Sequence, residues 1–358
     1  MFFEIIFLLL SWEIDHGAID ATIYSEKSTD LRGPISSFHG TAPSLTADSS
    51  RFQLTFSSGD SIFYTYSDIH DVHFVDPVPV AIVKGLVSVG GRGPEIITTR
   101  QGLLIAAPDD SGDIHTFLKA THQDNWAKGG IINELSGVAR EAFVSLACNT
   151  DGDVYAVWLD LRADGHNKIA GAKSIDGGMS WSKNQIIYRS PDSTVCECCK
   201  PTVALNGAHV AVMFRNWIDG NRDLYVIQSF DGGARFGNAT KLGKGSWKLN
   251  GCPMDGGNVL LDASGDVHTV WRRKGEVFEC QTGKEEKLIG EGMHCIMAGQ
   301  PETRVIAFMN KGQIYLRKQI GAITKLGEGE RPALVISGQT ALCAWEQNGN
   351  IAYRAIPN

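Results

Sequence analysis

The chain has no internal apolar run long enough to span a membrane, which excludes a helical membrane protein. It has no excess of basic residues: 33 Lys and Arg stand against 40 Asp and Glu, a net charge of −7. Nucleic-acid phosphates demand a basic face, so a nucleic-acid partner is not expected. Cysteine is sparse, eight in 358 residues, too few for a disulfide-built scaffold. No P-loop, HExxH or GxSxG motif occurs, and Gly90–Glu95 (GGRGPE) is followed by no helical pattern, so it is not a dinucleotide fingerprint. Long amphipathic helical stretches are missing throughout. What remains is rich in glycine, 40 residues, and alternates with a period near two, the pattern of strands and tight turns.

The ends of the chain carry little. Phe2 to Trp12 is apolar apart from Glu4 and Ser11, which reads as an atypical export signal within residues 1–19, without a basic n-region or a clear cleavage site. A secreted or periplasmic location follows as the expectation. Residues 20–358 read as one domain.

That domain is repetitive. Two segments match plainly: Ser174–Ser182 (SIDGGMSWS) and Ser229–Gly237 (SFDGGARFG). In each, the Asp carboxylate can accept backbone amides, Gly supplies positive φ, and an aromatic residue anchors the hairpin. Worn copies fall at Ser67–Phe74 and Lys119–Trp126. A second marker, a Pro or its equivalent before a short strand, recurs at Pro43, Pro94, Ala142, Pro201, Pro253, Cys295 and Pro332, with about 48 residues per repeat. Each marker precedes a stronger strand, such as Val154–Trp158 or Val210–Phe214, and then a third. This is the pattern of an all-β propeller of four-stranded antiparallel blades. Seven blades are favoured and six are the alternative. Ala21–Tyr24 (ATIY) is the expected closing strand of the last blade.

The Ser-x-Asp-x-Gly-x-x-aromatic turns (Ser174, Asp176, Gly178, Trp181; Ser229, Asp231, Gly233, Phe236) resemble the Asp-box, or BNR repeat, of the sialidase superfamily. A longer stretch, Ala139 to Arg273, resembles bacterial sialidase-like proteins of the exo-alpha-sialidase type through WLDLR, CECCKP, RNWIDGNRD, SWKLNGCPMDGG and WRR. The resemblance implies a glycoside hydrolase with an arginine triad for a sugar carboxylate, an Asp acid/base, and a Tyr nucleophile assisted by Glu. Arg92-Gly93-Pro94 matches the family's Arg-Ile-Pro motif only as Arg-x-Pro. No segment matches the Tyr and Glu.

Topology alone places the candidate site. In a propeller, the loop leading into the innermost strand and the loop between the second and third strands share one face; the Asp-box turns lie on the other. The lead-in and second-to-third loops carry Arg92, Arg140, Arg162, Lys200, Arg215, Arg222, Arg272 and Arg331, which suit an anionic ligand such as an acidic glycan. They also carry the candidate catalytic carboxylates Asp109, Asp110, Glu141, Asp160 and Asp255. Trp217 and Trp247 are candidates for stacking a sugar or for packing between blades. Cys196, Cys198 and Cys199, with Cys252 in the next lead-in loop, support three readings. They are disulfides from Cys196 or Cys198 to Cys252 or between Cys198 and Cys199, a thiolate site for Zn or Cu, and reduced structural thiols. Disulfides are preferred, with no metal favoured and no cofactor expected. The alternatives to a sialidase are a non-catalytic carbohydrate- or protein-binding propeller and a propeller built around a cysteine metal site.

Overall fold

The computed structural model describes residues 24–25, 32–319 and 321–357, and the expected export segment, 1–19, lies outside them. Among the described residues, seven sheets of four antiparallel strands, one of them extended by a short fifth strand, follow one another as the blades of a propeller. No helix is long and apolar enough to cross a membrane among them, and the one helical turn is Pro301–Thr303.

The innermost strands are Thr41–Ala47, Glu95–Thr99, Val144–Cys148, Thr202–Asn206, Asn258–Leu261, Met293–Ala298 and Glu330–Ser337. Each of the seven sequence markers falls in, or a few residues before, one of them.

Alternation explains why these strands stack radially. Along Val154–Asp160, Val154, Ala156 and Trp158 pack towards blade 2, while Tyr155, Val157 and Leu159 pack towards blade 4. Both sets are buried, so the strand reads as continuously apolar. The same two-sided burial recurs around the ring and yields seven apolar layers, one at each junction between neighbouring blades. The layer between blades 7 and 1 (Phe52, Leu54 and Phe56 against Leu342, Ala344 and Ile351) closes the circle.

The closing strand corrects an expectation. Arg32–His39, and not Ala21–Tyr24, pairs antiparallel with Asn350–Pro357 as the outermost strand of blade 7. Tyr24–Ser25 instead adds a short parallel strand beside Ile323–Glu328 of blade 6; Ala21–Ile23 lie outside the described residues. The true closing strand contains Gly33 and Pro34, which read as a turn. An outermost strand tolerates Pro because its far edge needs no donor. The register shifts between Arg32 and Ser36, where Pro34 sits.

The Asp-box turns join the third and fourth strands of blades 3 and 4. Ser174 Oγ accepts the Gly178 amide at 2.8 Å, and Asp176 Oδ1 accepts the Ser180 amide at 2.9 Å. Ser229 and Asp231 repeat the arrangement with the Gly233 and Arg235 amides at 3.0 and 2.8 Å. The turn aromatics pack back onto the preceding blade. Trp181 joins the layer against blade 2, Phe236 stands edge-on to Tyr155, and the worn copies place Trp126 against Tyr64 and Phe74 against Tyr353. These turns are therefore staples between blades, on the face opposite the lead-in loops.

Candidate functional site

A recurrent backbone feature shapes the channel mouth. Ala42, Ala142, Met254, His294 and Arg331 have φ of 54°, 55°, 56°, 53° and 52°, each just before or at the start of an innermost strand. Non-glycine residues rarely hold this left-handed conformation, at a cost of about 1–3 kcal/mol each. In blades 1, 6 and 7 a glycine stands two residues earlier (Gly40, Gly292, Gly329) against the neighbouring strand of its own blade. A Cβ on Gly329 would lie 2.3 Å from the Glu346 carbonyl oxygen. The spacing Gly-x-residue-(Pro or Cys) was a visible signal for these positions, and sequence reasoning missed it.

The mouth opens into a cavity of about 510 Å³ touched by the innermost strands or lead-in loops of all seven blades. Its charged lining comprises Arg92, Glu95, Lys200, Asp255, His294, Arg331 and Glu346. Lys200 of blade 4 pairs with Glu95 of blade 2, reaching past blade 3. Arg92 donates from Nε to the Glu141 carbonyl at 2.7 Å, and its guanidinium lies 4.2 Å above the Phe143 ring. Arg331 meets Glu330 at 2.7 Å and Glu346 at 3.9 Å.

Two groups in the cavity have shifted acidities. Burial holds His294 below the ordinary imidazole value, with Asp255 pulling the other way and Arg331 reinforcing the fall. The ring is thus neutral at neutral pH, and its Nδ1 is buried without a partner. Burial raises Glu346 above the ordinary carboxylate range, although it accepts the Ala42 amide at 3.1 Å and faces Arg331. A neutral imidazole and a carboxyl that keeps its proton longer form an acid/base pair in kind. Neither was among the expected catalytic residues.

His294 is held by a relay across three blades. Asp255 Oδ2 accepts the His294 amide at 2.7 Å. The Asp255 carbonyl accepts Arg215 Nε at 3.0 Å and Nη2 at 2.9 Å.

The expected site residues divide sharply. Arg92, Lys200, Arg331 and Asp255 line the cavity, as does Cys198 of the cysteine cluster; the other expected arginines and carboxylates do not. Arg215, 1% exposed, spends its guanidinium on the carbonyls of Asp255, Arg222 and Arg272. It clamps blades 4 and 5 and is closed to ligand. Arg222 is buried against Cys196 and over Trp217. Arg272 bonds to the carbonyls of Lys274 and Pro253 and faces Trp247, which also lies beside Arg215. Both tryptophans are covered by guanidinium groups.

Arg162 forks onto Asp160 at 2.8 Å through Nε and Nη2, and Trp158 Nε1 and the Arg162 amide take the remaining positions on that carboxylate. Asp160 is fully buried and sealed. Arg140 reaches only the Gly137 carbonyl, at 3.3 Å. Glu141 stands behind Arg92 and accepts Asn167 Nδ2 at 3.4 Å. Asp109 organises its own turn, accepting Ser111 Oγ, the Asp113 amide and His115; burial raises its pKa, but these bonds outweigh it and hold the carboxyl low. Asp110 lies against Gly85.

The cysteine cluster has a different form from the preferred disulfides. All eight cysteines are free. Cys196, Cys198 and Cys199 converge in one buried loop, with sulfur–sulfur distances of 3.7, 3.5 and 4.0 Å.

No known family profile matches the chain, and no curated protein sequence does. Solved structures do resemble it. An ulvan lyase of polysaccharide lyase family 25, bound to a GlcA–Rha3S oligosaccharide, shares a TM-score of 0.58 at 12% identity, covering 92% of this chain and 96% of the other. The polysaccharide lyase Uly1 gives a TM-score of 0.57 at 9% identity, covering 92% of each. Virginiamycin B lyase from Staphylococcus aureus gives 0.54 at 11% identity, covering 90% and 99%. The similarity is one of fold. None of these three neighbours is a sialidase; they support the propeller and do not confirm the sialidase superfamily.

Proposed function

We propose that the channel mouth binds an acidic polysaccharide and cleaves it by β-elimination next to a uronate. The observation that carries this reading is the meeting in one cavity of three cations (Arg92, Lys200, Arg331), a neutral His294 and a Glu346 whose carboxyl burial raises above its ordinary range. The cations would neutralise the uronate carboxylate and so acidify the C5 proton. His294 would take that proton as a neutral base. The electron pair forms the C4–C5 double bond as the C4–O bond breaks, and Glu346 would protonate the departing oxygen. No water is consumed.

The fold neighbours that are polysaccharide lyases, one of them bound to a GlcA–Rha3S oligosaccharide, favour this reading over hydrolysis. So does the absence of tyrosine among the described residues lining the cavity, since a Tyr nucleophile would have to stand there. An extracellular polysaccharide also fits the export expected from residues 1–19.

A second reading, glycan binding without turnover, is favoured by one observation: each cavity cation already has an acidic partner, so the mouth is internally compensated. The two are separated by incubating the protein with a panel of uronate polysaccharides and a sialoside, following the ultraviolet absorbance of the unsaturated product. Turnover that falls about a hundredfold or more in His294→Ala with glycan binding retained supports elimination. Binding with no product supports the second reading. Release of free sialic acid without any unsaturated product overturns the proposal.

A further inference from the structure

We propose that Cys196, Cys198 and Cys199 form a binding site for a thiophilic d10 metal ion, Zn(II) or Cu(I). Their sulfurs lie 3.5 to 4.0 Å apart. An ion about 2.3 Å from each sulfur requires sulfurs roughly 3.8 Å apart in a tetrahedral site and about 4.0 Å apart in a trigonal one. The loop thus already holds the spacing of a thiolate metal centre. A disulfide would need one pair to close to about 2.05 Å.

The second observation is the charge around the cluster. Arg222 is 4% exposed and directs Nη1 to Cys196 Sγ at 2.9 Å. Its Nε is buried with no partner, and its one carboxylate, Glu197 at 3.6 Å, is half-exposed. Arg215, also buried, has only carbonyl oxygens as acceptors. Two buried guanidinium groups beside three neutral thiols leave positive charge poorly compensated. Three thiolates around a mono- or divalent ion carry net negative charge and supply what is missing.

A free thiol is mostly protonated at neutral pH, whereas a metal ligand is a thiolate. The exposed Cys252 of the adjacent loop lies next to Cys198. Binding therefore releases one proton to solvent for each thiolate formed. A trigonal Cu(I) site needs only the three buried sulfurs, whereas tetrahedral Zn(II) would recruit Cys252 as the fourth ligand. The loop leads directly to Lys200 at the channel mouth, so the ion would brace that side of the cavity.

The test uses the full chain, reduced, stripped with a chelator and kept anaerobic, then supplied with Zn(II) or Cu(I). The expected result is one ion per chain by elemental analysis, with release of three protons for Cu(I) and four for Zn(II). Cobalt(II) should give thiolate charge-transfer absorption. Affinity should fall about a hundredfold or more in Cys199→Ser and remain unchanged in Cys148→Ser. Cys252→Ser should weaken Zn(II) and leave Cu(I) unaffected. The proton count on the unmodified chain stands even where Cys199→Ser fails to fold. Folded protein with eight titratable thiols and no stoichiometric ion, or a disulfide among the three cysteines by mass spectrometry, overturns the proposal.

Discussion

Two sets of cationic side chains occupy the same face of the ring and have opposite fates. Arg162, Arg215 and Arg222 lie between the outer parts of blades 3, 4 and 5, with acceptors supplied by carboxylate, carbonyl and sulfur. Arg92, Lys200 and Arg331 stand at the central cavity. The second set comes from lead-in loops and the start of an innermost strand, beside the axis. The first comes from the end of a second strand and the loops that follow second strands, farther out, where the neighbouring blade covers them. Radial position, not residue type, decides which guanidinium holds the fold and which can meet a ligand.

The largest expected effect follows from the sealed set. Arg215→Met preserves much of the volume but leaves the carbonyls of Asp255, Arg222 and Arg272 without that donor. Stability should drop by about 4 kcal/mol, read as a lower denaturant midpoint. Arg331→Met at the mouth should change it by less than about 1 kcal/mol, as partly exposed pairs do. Equal losses in the two variants would erase the distinction. Asp160→Asn sharpens it from the anionic side. The half-buried Arg162 fork loses its main charge partner and keeps Glu134 at 3.5 Å and the Asn184 oxygen at 3.1 Å, so a loss of about 2 kcal/mol is expected.

A smaller effect tests the opposite face. Gly233 has φ of +87°, and a Cβ there would lie 2.1 Å from Tyr155 of blade 3. Gly233→Ala should cost about 2 kcal/mol, because strain and a clash add. Gly207→Ala, at a φ of +55° and with open space around it, should cost no more than about 1 kcal/mol. If the two cost the same, the Asp-box turns are not staples against the preceding blade.

The ring was legible because its signals are local. Markers from Pro43 to Pro332 repeat at each innermost strand, and the Asp-box words fix the face on which their turns lie. The closing strand was hidden by Gly33 and Pro34, whose turn chemistry is tolerated at an outermost edge. The cavity was legible only in part. Arg92, Lys200, Arg331 and Asp255 were named, but so were Arg215 and Asp160, because a charged word in a loop does not say how far that loop stands from the axis. Neither His294 nor Glu346 was named among the catalytic candidates, for a related reason. Their chemistry comes from burial, supplied by strands distant in sequence: the Glu346 carboxyl is capped by the Ala42 amide, 304 residues away.

The smallest effect is a pH dependence at the mouth. An unfolded histidine titrates near 6.5, whereas burial lowers His294 in the folded ring. The unfolded chain therefore binds the proton more readily. The contribution of the neutral ring is fully present above about pH 6.5 and is lost as pH falls towards the folded value. The denaturant midpoint should decline between pH 7 and pH 5 more steeply in the unmodified protein than in His294→Gln. Arg331→Gln should flatten the same slope in part, since Arg331 helps depress the ring, while Asp255→Asn should steepen it by removing the charge that favours protonation. A sealed position offers no such handle: Arg215→Met should shift the whole curve without changing this slope, provided the Asp255 carboxylate still holds the His294 amide.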